Sequence, residues 1–400
     1  MSATLPYQRR RRRGRRPPLV ALAMAFACLV SPWNAVDLKG IQPVDLILGA
    51  VLVAVSARAL VRDDPMAKMP AWLVAGCSAI LLVGAYHTLF SQSISQLDRS
   101  VRWILAAGLL PWLAVMCSRR WPALGERLAL WWVIGIAASA SVGIADYFGV
   151  TNINDGLVPV PWGGDRQAGL SAQPNHLGLA CAMALPLVAH FTRRRWTAAG
   201  VGLLLFGGVI VSGSRAAQAA FVLALLPSLA GPARNRRVVK MTILSAIAIA
   251  IALTLSGSAR SQVQPLLRIF SEHSADTEES NAGRAQLAEQ AWDSFLSNPI
   301  LGGGMDQLSR GHSVPLQLLA TGGAVLALAC FVYGFGAVRS GRKLARASGD
   351  QLVRAAAWSA VVWFAAGIVS NSIADRFLYV PIAVILVARD GELRRRSTGQ

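Results

Sequence analysis

Long apolar segments, separated by short polar turns, run through most of this sequence. Only 15% of the residues are charged, whereas a water-soluble domain carries roughly 25% charged residues. A helix of about 20 apolar residues crosses a bilayer, because it satisfies its backbone hydrogen bonds internally. The sequence therefore predicts an all-α polytopic membrane protein.

About twelve transmembrane helices can be assigned on this basis. They lie near residues 19–36, 44–61, 71–90, 101–117, 127–149, 176–192, 197–213, 216–232, 239–256, 312–338, 353–373 and 376–389. The fourth, seventh and last are short, so their ends are the least well defined by hydropathy. One helix more or fewer would reverse the orientation of everything that follows it.

The loop charges orient these helices. With twelve alternating helices and both termini on one side, 29 of the 39 Lys and Arg residues fall on that side and 10 on the other. Because basic residues concentrate in cytoplasmic loops, we predict that both termini are cytoplasmic. The net charge of +19 then reflects membrane orientation, and no nucleic-acid partner is expected.

This topology divides the chain into five segments. Basic cytoplasmic tails lie at each end, and a large external loop of 55 residues separates the first nine helices from the last three. The segments are the tail 1–18, helices 1–9 in 19–256, the external (periplasmic-side) loop 257–311, helices 10–12 in 312–389, and the tail 390–400. Within the loop, NAGRAQLAEQAWDSFLSNP predicts an amphipathic helix on the membrane surface.

Three of the ten basic residues on the outer side have neighbours that suggest a function. Any one outer arginine can simply contact lipid headgroups through a long side chain. Arg215, however, follows the small residues of a tight turn that includes Ser214, which lets a backbone or ligand approach closely. Arg166 precedes QPNHLG, which contains Asn175, and Arg284 lies in the amphipathic segment.

A histidine opens the tenth predicted helix. His312 follows the glycine-rich stretch PILGGGM at the outer face, where the helix dipole favours a neutral imidazole. Arginines bind phosphates through paired hydrogen bonds, and a neutral histidine accepts a proton at pH 7. We therefore predict one outward-facing site at which the three arginines and His312 meet a diphosphate-bearing lipid and a hydroxyl nucleophile.

Four motifs, in this order, resemble those of the O-antigen ligase / O-antigen polymerase family of membrane glycosyltransferases. They are GLSAQPNHLGLA (169–180), VSGSRAAQAA, WDSFLSNPILGGGM and HSVPLQLLATGG, in which Gly323 stands eleven residues after the histidine. The resemblance covers about residues 100–338. The family often has asparagine, an acidic residue and a second glycine where this chain has Ser313, Thr321 and Leu326.

The resemblance implies an activity, its partners and its location. A glycan is expected to pass from an undecaprenyl-diphosphate-linked oligosaccharide to a hydroxyl of a glycolipid or glycan acceptor, by an inverting single displacement. This activity builds cell-envelope polysaccharide such as lipopolysaccharide, on the outer side of the inner (cytoplasmic) membrane. The expected catalytic residues are His312 as base, with Arg215 and Arg284. The expected substrate-binding residues are Arg166, Asn175, Ser214, Gly302 and Gly304, the two glycines shaping the return of the external loop to the membrane.

Neither a cofactor nor a metal is expected in this scheme, because guanidinium groups supply the positive charge. The outer acidic cluster at Asp276, Glu278 and Glu279 has no His or Cys at ligand spacing beside it.

Three alternatives remain open at this point. A polymerase of the same family differs from a ligase only in its acceptor. A lipid-linked-glycan transporter belongs to another class, although coupled transporters usually carry charged residues deep within their helices. A structural membrane protein would leave the glycine-rich returns unexplained.

Overall fold

The computed structural model describes most of the chain. The described residues are 17–37, 41–62, 67–157, 166–191, 195–230, 275–309, 312–370 and 372–397. They fold into helices, with no β-strand among them. The all-α prediction is confirmed for this part of the chain. The predicted ninth helix, 239–256, lies outside the described residues.

The α-helices are numbered here in chain order through the described residues. They are α1 (Leu19–Val30), α2 (Pro43–Arg62), α3 (Ala71–Ser91), α4 (Ile94–Ile104), α5 (Leu110–Ser118), α6 (Leu124–Tyr147), α7 (Ile153–Leu157), α8 (Pro174–Phe191), α9 (Arg195–Val211), α10 (Arg215–Ala230), α11 (Ala275–Ser297), α12 (Val314–Ser348), α13 (Gln351–Gly367) and α14 (Val380–Ser397). A π-helical segment, Leu105–Leu109, joins α4 to α5. The 3-10 turns Met305–Ser309 and Arg376–Tyr379 precede α12 and α14.

Many of these helices are apolar enough for a bilayer. Within the described residues, five helical stretches are long enough to cross it: Pro43–Val61, Ala71–Ser91, Ile94–Ser118, Leu124–Tyr147 and Val314–Ser348. Shorter apolar helices are Leu19–Val30, Pro174–Val188, Trp196–Val211 and Arg215–Leu226. The chain is therefore a multi-pass membrane protein, while the number of twelve crossings and their orientation remain predictions.

The first and last helices differ in extent from the sequence prediction. The predicted helix 19–36 ends at Val30, because Pro32 has no amide hydrogen with which to continue the helical hydrogen bonds. At the other end of the chain, α14 continues to Ser397 and so includes most of the predicted tail 390–400. The charged residues of this tail are compatible with a helix whose last turns extend beyond the bilayer.

Helix termini collect at two opposite ends of the molecule. At one, the segment after α1 meets the start of α14, where Asn34 donates a hydrogen bond of 2.7 Å to Asp375. At the other, the end of α5 meets the far part of α14, where Arg119 pairs with Asp390 at 2.9 Å. We call these the His312 end and the Asp390 end; the 18 residues of α14 separate them by about 27 Å.

Helix α14 lies in the core and holds the His312 end in place. All eight residues from Val380 to Val387 are buried, packed among neighbours that include α5, α6 and α13. Just before it, the hydroxyl of Tyr379 accepts a hydrogen bond from Trp103 and donates one to the carbonyl of Ile373, both 2.6 Å long. The connection that enters α14 is therefore anchored by buried side chains.

Candidate functional site

Arg166 lies before α8 and contacts two other segments. Its Nε donates to the carbonyl of Ser212 at 3.0 Å, and its Nη2 donates to Oδ1 of Asn175 at 2.8 Å. The next amide, that of Gln167, donates to the carbonyl of Val211 at 2.8 Å. The structure thus brings Arg166 and Asn175 into direct contact at the end of α9.

The turn between α9 and α10 supports Arg166 and presents Arg215. Gly213 has φ +59°, and a Cβ added there would lie 3.1 Å from Cγ of Arg166, so a larger residue would displace that side chain. Ser214 is buried, and its Oγ accepts a hydrogen bond of 3.3 Å from the amide of Ala217. This contact caps α10. Arg215 is the first residue of α10 and its side chain is exposed, so a ligand can reach it.

His312 is half-buried immediately before α12, and Arg284 is its charged neighbour. Burial disfavours the charged imidazolium, and the nearby Arg284 cation disfavours it further, so both lower the pKa of His312 from its ordinary 6.5. The sequence prediction invoked only the helix dipole. Because the pKa lies below 6.5, His312 is neutral at pH 7 and can accept a proton.

The course of α11 explains why Arg284 lies near His312. The Oγ of Ser294, near the end of α11, donates to the carbonyl of Ala320 on α12 at 3.3 Å. Arg284 precedes Ser294 by about 15 Å of helix, and His312 precedes Ala320 by about 12 Å. The Ser294 contact joins α11 to α12, and the interaction between the Arg284 cation and His312 shows that these two residues also lie near each other. Trp292 on α11 is 46% exposed, which fits the predicted helix on the membrane surface.

A break in α12 receives the segment Pro299–Gly304. Gly322 and Gly323 leave helical geometry, with φ values of −137° and +59°. Four backbone hydrogen bonds then join the two segments: Gly303 N to Ala320 O at 2.7 Å, Gly304 N to Thr321 O at 2.9 Å, Ala324 N to Pro299 O at 2.9 Å and Val325 N to Ile300 O at 3.3 Å. Lipid cannot satisfy backbone groups, so this break depends on the segment that fills it.

The two predicted glycines of the loop act at this contact. Gly302 has φ +64°, and a Cβ there would lie 2.5 Å from the amide nitrogen of Gly322. Gly304 has φ +97°, and its Cβ would lie 3.1 Å from the ring of His87 on α3. His87 also contacts the carbonyl of Leu301 through Nε2 at 3.0 Å. The glycines therefore let the loop pack directly against α12 and α3.

A buried polar network at the His312 end was not predicted from the sequence. The Oδ1 of Asn34 accepts a hydrogen bond of 2.7 Å from the amide of Ala172, so the amide nitrogen of Asn34 is oriented as a donor. This nitrogen donates to Asp375 and lies 3.0 Å from Nδ1 of His176, which must accept. The Nε2 of His176 then carries the hydrogen and faces Asp375 at 3.4 Å.

A second unpredicted contact, between Asp45 and Arg376, lies at the same end. The guanidinium donates to both carboxylate oxygens, at 3.0 and 2.9 Å, and the two side chains are only 13% and 8% exposed. The sequence did contain a signal for this pair. Asp45 and Arg376 lie at the predicted outer ends of the helices 44–61 and 376–389. Charged side chains near lipid are stabilised by a partner of opposite charge.

The connection between α13 and α14 links the groups around Arg166 and His312. The amide of Val314, two residues after His312, donates to the carbonyl of Ser370 at 3.0 Å. Five residues later, Asp375 contacts His176 at the start of α8. The structure therefore arranges the predicted site residues as two groups that border one end of the molecule, rather than in direct contact with one another.

An apolar cavity of about 650 Å³ opens between α12 and α13. Its lining begins at Val314 and extends along α12 to Val338, with Trp363 and Phe364 opposite. None of the lining residues is charged. The lining is therefore apolar over its whole described extent, and it begins two residues after His312.

Metal-binding clusters can be assessed only in part. In the ranges that the structure describes, no group of three or more His, Cys, Asp or Glu residues could hold a metal ion. The predicted independence from metals remains a prediction.

The comparisons with known proteins support the resemblance. The family model described as O-antigen ligase matches residues 200–332. The matched region includes Ser214, Arg215, Arg284, the glycines 302 and 304, and His312, whereas Arg166 and Asn175 precede it. The resemblance that the motifs indicated is thereby confirmed over these residues. None of the curated proteins compared with the chain matches it.

Proposed function

Because residues 200–332 carry the O-antigen ligase domain, we propose that this protein is a membrane glycosyltransferase of the ligase type. It moves a glycan from an undecaprenyl-diphosphate donor to an acceptor hydroxyl on the outer side of the cytoplasmic membrane. The observation that carries the proposal is the proximity of Arg284, a phosphate-binding cation, to His312, a histidine whose pKa is lowered so that it is neutral at pH 7.

The arginines act on the donor. Arg215 is exposed at the start of α10, and the side chain of Arg166 packs against the preceding turn at Gly213. Guanidinium groups form paired hydrogen bonds with phosphate oxygens. The N-termini of α8 and α10, close to Asn175 and Arg215, add partial positive charge. Together with Arg284, these groups stabilise the negative charge that grows on the lipid diphosphate as it departs.

His312 acts on the acceptor. Its neutral imidazole takes the proton of the acceptor hydroxyl while that oxygen attacks the anomeric carbon. The bond between this carbon and the diphosphate oxygen breaks with its electron pair going to the diphosphate, and the configuration inverts. The product is a glycoside, the leaving group is undecaprenyl diphosphate, and the proton remains on His312 until solvent removes it.

The lipid part of a substrate has a suitable place in the fold. The apolar cavity between α12 and α13 starts two residues after His312, at Val314, and has no charged lining residue. A hydrocarbon chain in this cavity would bring its polar end to the catalytic histidine. A repeat-unit polymerase of the same family fits this geometry equally well, because it differs only in using a lipid-linked acceptor.

A reconstituted transfer assay tests the proposal. Wild type, His312→Ala and Arg215→Ala are supplied with an undecaprenyl-diphosphate oligosaccharide and either a glycolipid acceptor or a second donor molecule. We expect wild type to release undecaprenyl diphosphate, His312→Ala to lose roughly 100-fold or more of the rate, and Arg215→Ala about 100-fold. Arg342→Ala, at an exposed site far along α12, is the matched control and retains activity.

The acceptor that works separates a ligase from a polymerase. If wild type binds the donor but does not cleave it with either acceptor, the enzyme proposal is wrong. A lipid-linked-glycan transporter then becomes the better account.

A further inference from the structure

A second cavity, of about 850 Å³, lies at the Asp390 end. It is bounded by the start of α1, the last turns of α2, the end of α5 and the last turns of α14. The His312 end lies at the other end of α1 and α14, so this cavity contains none of the residues proposed for glycan transfer. Its lining combines a cationic part with an apolar part.

The cationic part carries an excess of positive charge. Its described lining contains five basic side chains and a single carboxylate: Arg58, Lys68, Arg119, Arg120, Arg394 and Asp390. Asp390 lies 2.9 Å from both Arg119 and Arg394. The described lining keeps a net charge of +4. Clustered cations repel one another, and an anionic ligand would offset this repulsion.

The apolar part distinguishes a lipid from a soluble anion. Val55, Met116 and Leu393 line the same cavity. Leu19 and Leu60, which are next in sequence to residues of the lining, are 82% and 85% exposed, as expected for side chains that face hydrocarbon. A phosphate ion would leave this apolar wall uncovered, whereas a phospholipid places its headgroup among the cations and an acyl chain along the wall. Basic pockets between membrane helices bind acidic lipid headgroups in this way.

We propose that this cavity is a binding site for an anionic phospholipid from the leaflet at the Asp390 end, which is the cytoplasmic leaflet in the predicted orientation. The headgroup phosphate lies among Arg58, Lys68 and Arg120, next to the Arg119–Asp390 pair. Because the cavity is built from α1, α2, α5 and α14, the lipid joins four helices that are distant in sequence. Its occupancy stabilises the packing of α14, whose other end follows the segment that contains Asp375.

The test compares lipids on the purified, delipidated full-length protein. Thermal unfolding is followed in detergent with phosphatidylglycerol, with phosphatidylcholine, or with glycerol phosphate as a soluble anion. We expect phosphatidylglycerol at about 100 times its dissociation constant to raise the Tm by roughly 3 °C, and the other two to leave it nearly unchanged. If phosphatidylcholine or glycerol phosphate raised the Tm as much as phosphatidylglycerol does, the assignment of an anionic phospholipid would be overturned.

Variants locate the binding. The triple variant Arg58→Gln, Lys68→Gln, Arg120→Gln leaves the Arg119–Asp390 pair intact. It should weaken phosphatidylglycerol binding roughly 100-fold, as measured by native mass spectrometry, because each basic residue near a membrane surface contributes appreciably. The single variant Arg120→Gln, at an exposed position, should weaken binding by about 5-fold and serves if the triple variant does not fold.

A matched control removes the same number of charges at the same end. Gly341 of α12 packs against Ile385, well along α14, so the exposed residues Arg342, Lys343 and Arg346 also lie at the Asp390 end. Replacing these three by glutamine should leave phosphatidylglycerol binding unchanged. An equal loss in both triple variants would show a general attraction of basic protein for acidic lipid, and the site would be refuted.

Discussion

Arg166 donates a hydrogen bond of 2.8 Å from its Nη2 to the side-chain oxygen of Asn175, while its Nε is held by the carbonyl of Ser212. Two of the five donor hydrogens of this guanidinium are thereby assigned to the protein. The orientation of this guanidinium therefore depends in part on Asn175.

Replacing Asn175 by alanine should therefore weaken donor binding. Hydrogen bonds to charged groups contribute about 1.5–3 kcal/mol, so the KM for the lipid diphosphate donor should rise roughly 10- to 100-fold. Initial rates measured across donor concentrations check this. Asn152→Ala, which removes an exposed amide after α6, is the control and should leave the KM unchanged. An unchanged KM in Asn175→Ala would mean that Arg166 does not bind the donor in this orientation.

The acid limb of the pH profile should respond to Arg284. The Arg284 cation disfavours imidazolium, so removing it in Arg284→Gln raises the pKa of His312 toward 6.5. Since the neutral imidazole is the active form, kcat/KM should begin to fall at a higher pH in this variant than in wild type. Arg284→Lys keeps the charge and should keep the wild-type limb. Identical limbs in all three proteins would show that His312 is not the titrating base.

The break in α12 allows a test that compares Gly323, within the break, with Gly349, which follows the end of the same helix. Gly323 and Gly349 have φ values of +59° and +67°, so alanine is strained at both, by roughly 1–2 kcal/mol. A Cβ at Gly323 also collides with the backbone of Ile300, whereas one at Gly349 meets nothing within 4 Å. We expect Gly323→Ala to abolish transfer and lower the Tm further than Gly349→Ala, which stays active. Equal effects in unfolding and transfer assays would contradict a role for the break.

The Asp45–Arg376 pair should show the cost of a buried unpaired charge. Asp45→Leu leaves the nearly buried Arg376 without its carboxylate and should cost about 3–5 kcal/mol, whereas the double variant Asp45→Leu, Arg376→Leu should recover most of that loss. Chemical unfolding in detergent measures both. Asp98→Leu, which removes the partner of Arg102 in an exposed pair, should cost less than about 1 kcal/mol. If the double variant were less stable than Asp45→Leu alone, the pair would not explain the loss.

The apolar helices were predictable, and candidate reactive side chains could be chosen, because both depend on local properties of the sequence. The tendency of a segment to enter the bilayer depends on its own side chains, so the apolar runs that form α3 and α6 were assigned from their composition alone. Arg215 and His312 stood out for a similar reason, since a basic group beside an outer turn needs an explanation wherever the rest of the chain lies. The first helix was predicted too long because hydropathy does not register the backbone effect of Pro32.

Contacts between distant segments could not be predicted in this way. Asn34 and Asp375 are 341 positions apart, and neither has a sequence neighbour that indicates the other. Gly302 and Gly323 each appeared in a motif. Only the structure shows that the segment containing Gly302 fills the break of α12 at Gly323. The pKa of His312 likewise depends on burial and on Arg284, which α11 brings close through space.

The sequence by itself thus determined a helical membrane protein and its charge asymmetry, and it predicted a set of residues to bind a diphosphate and accept a proton. Only the tertiary structure decided that Arg166 is held by Asn175, that Arg284 lowers the pKa of His312, and that His176 pairs with Asp375 and Asn34. The physical reason is that partition into lipid is a property of each segment, whereas a hydrogen bond or a charge interaction requires two groups within a few ångströms. That distance is set by how the helices pack.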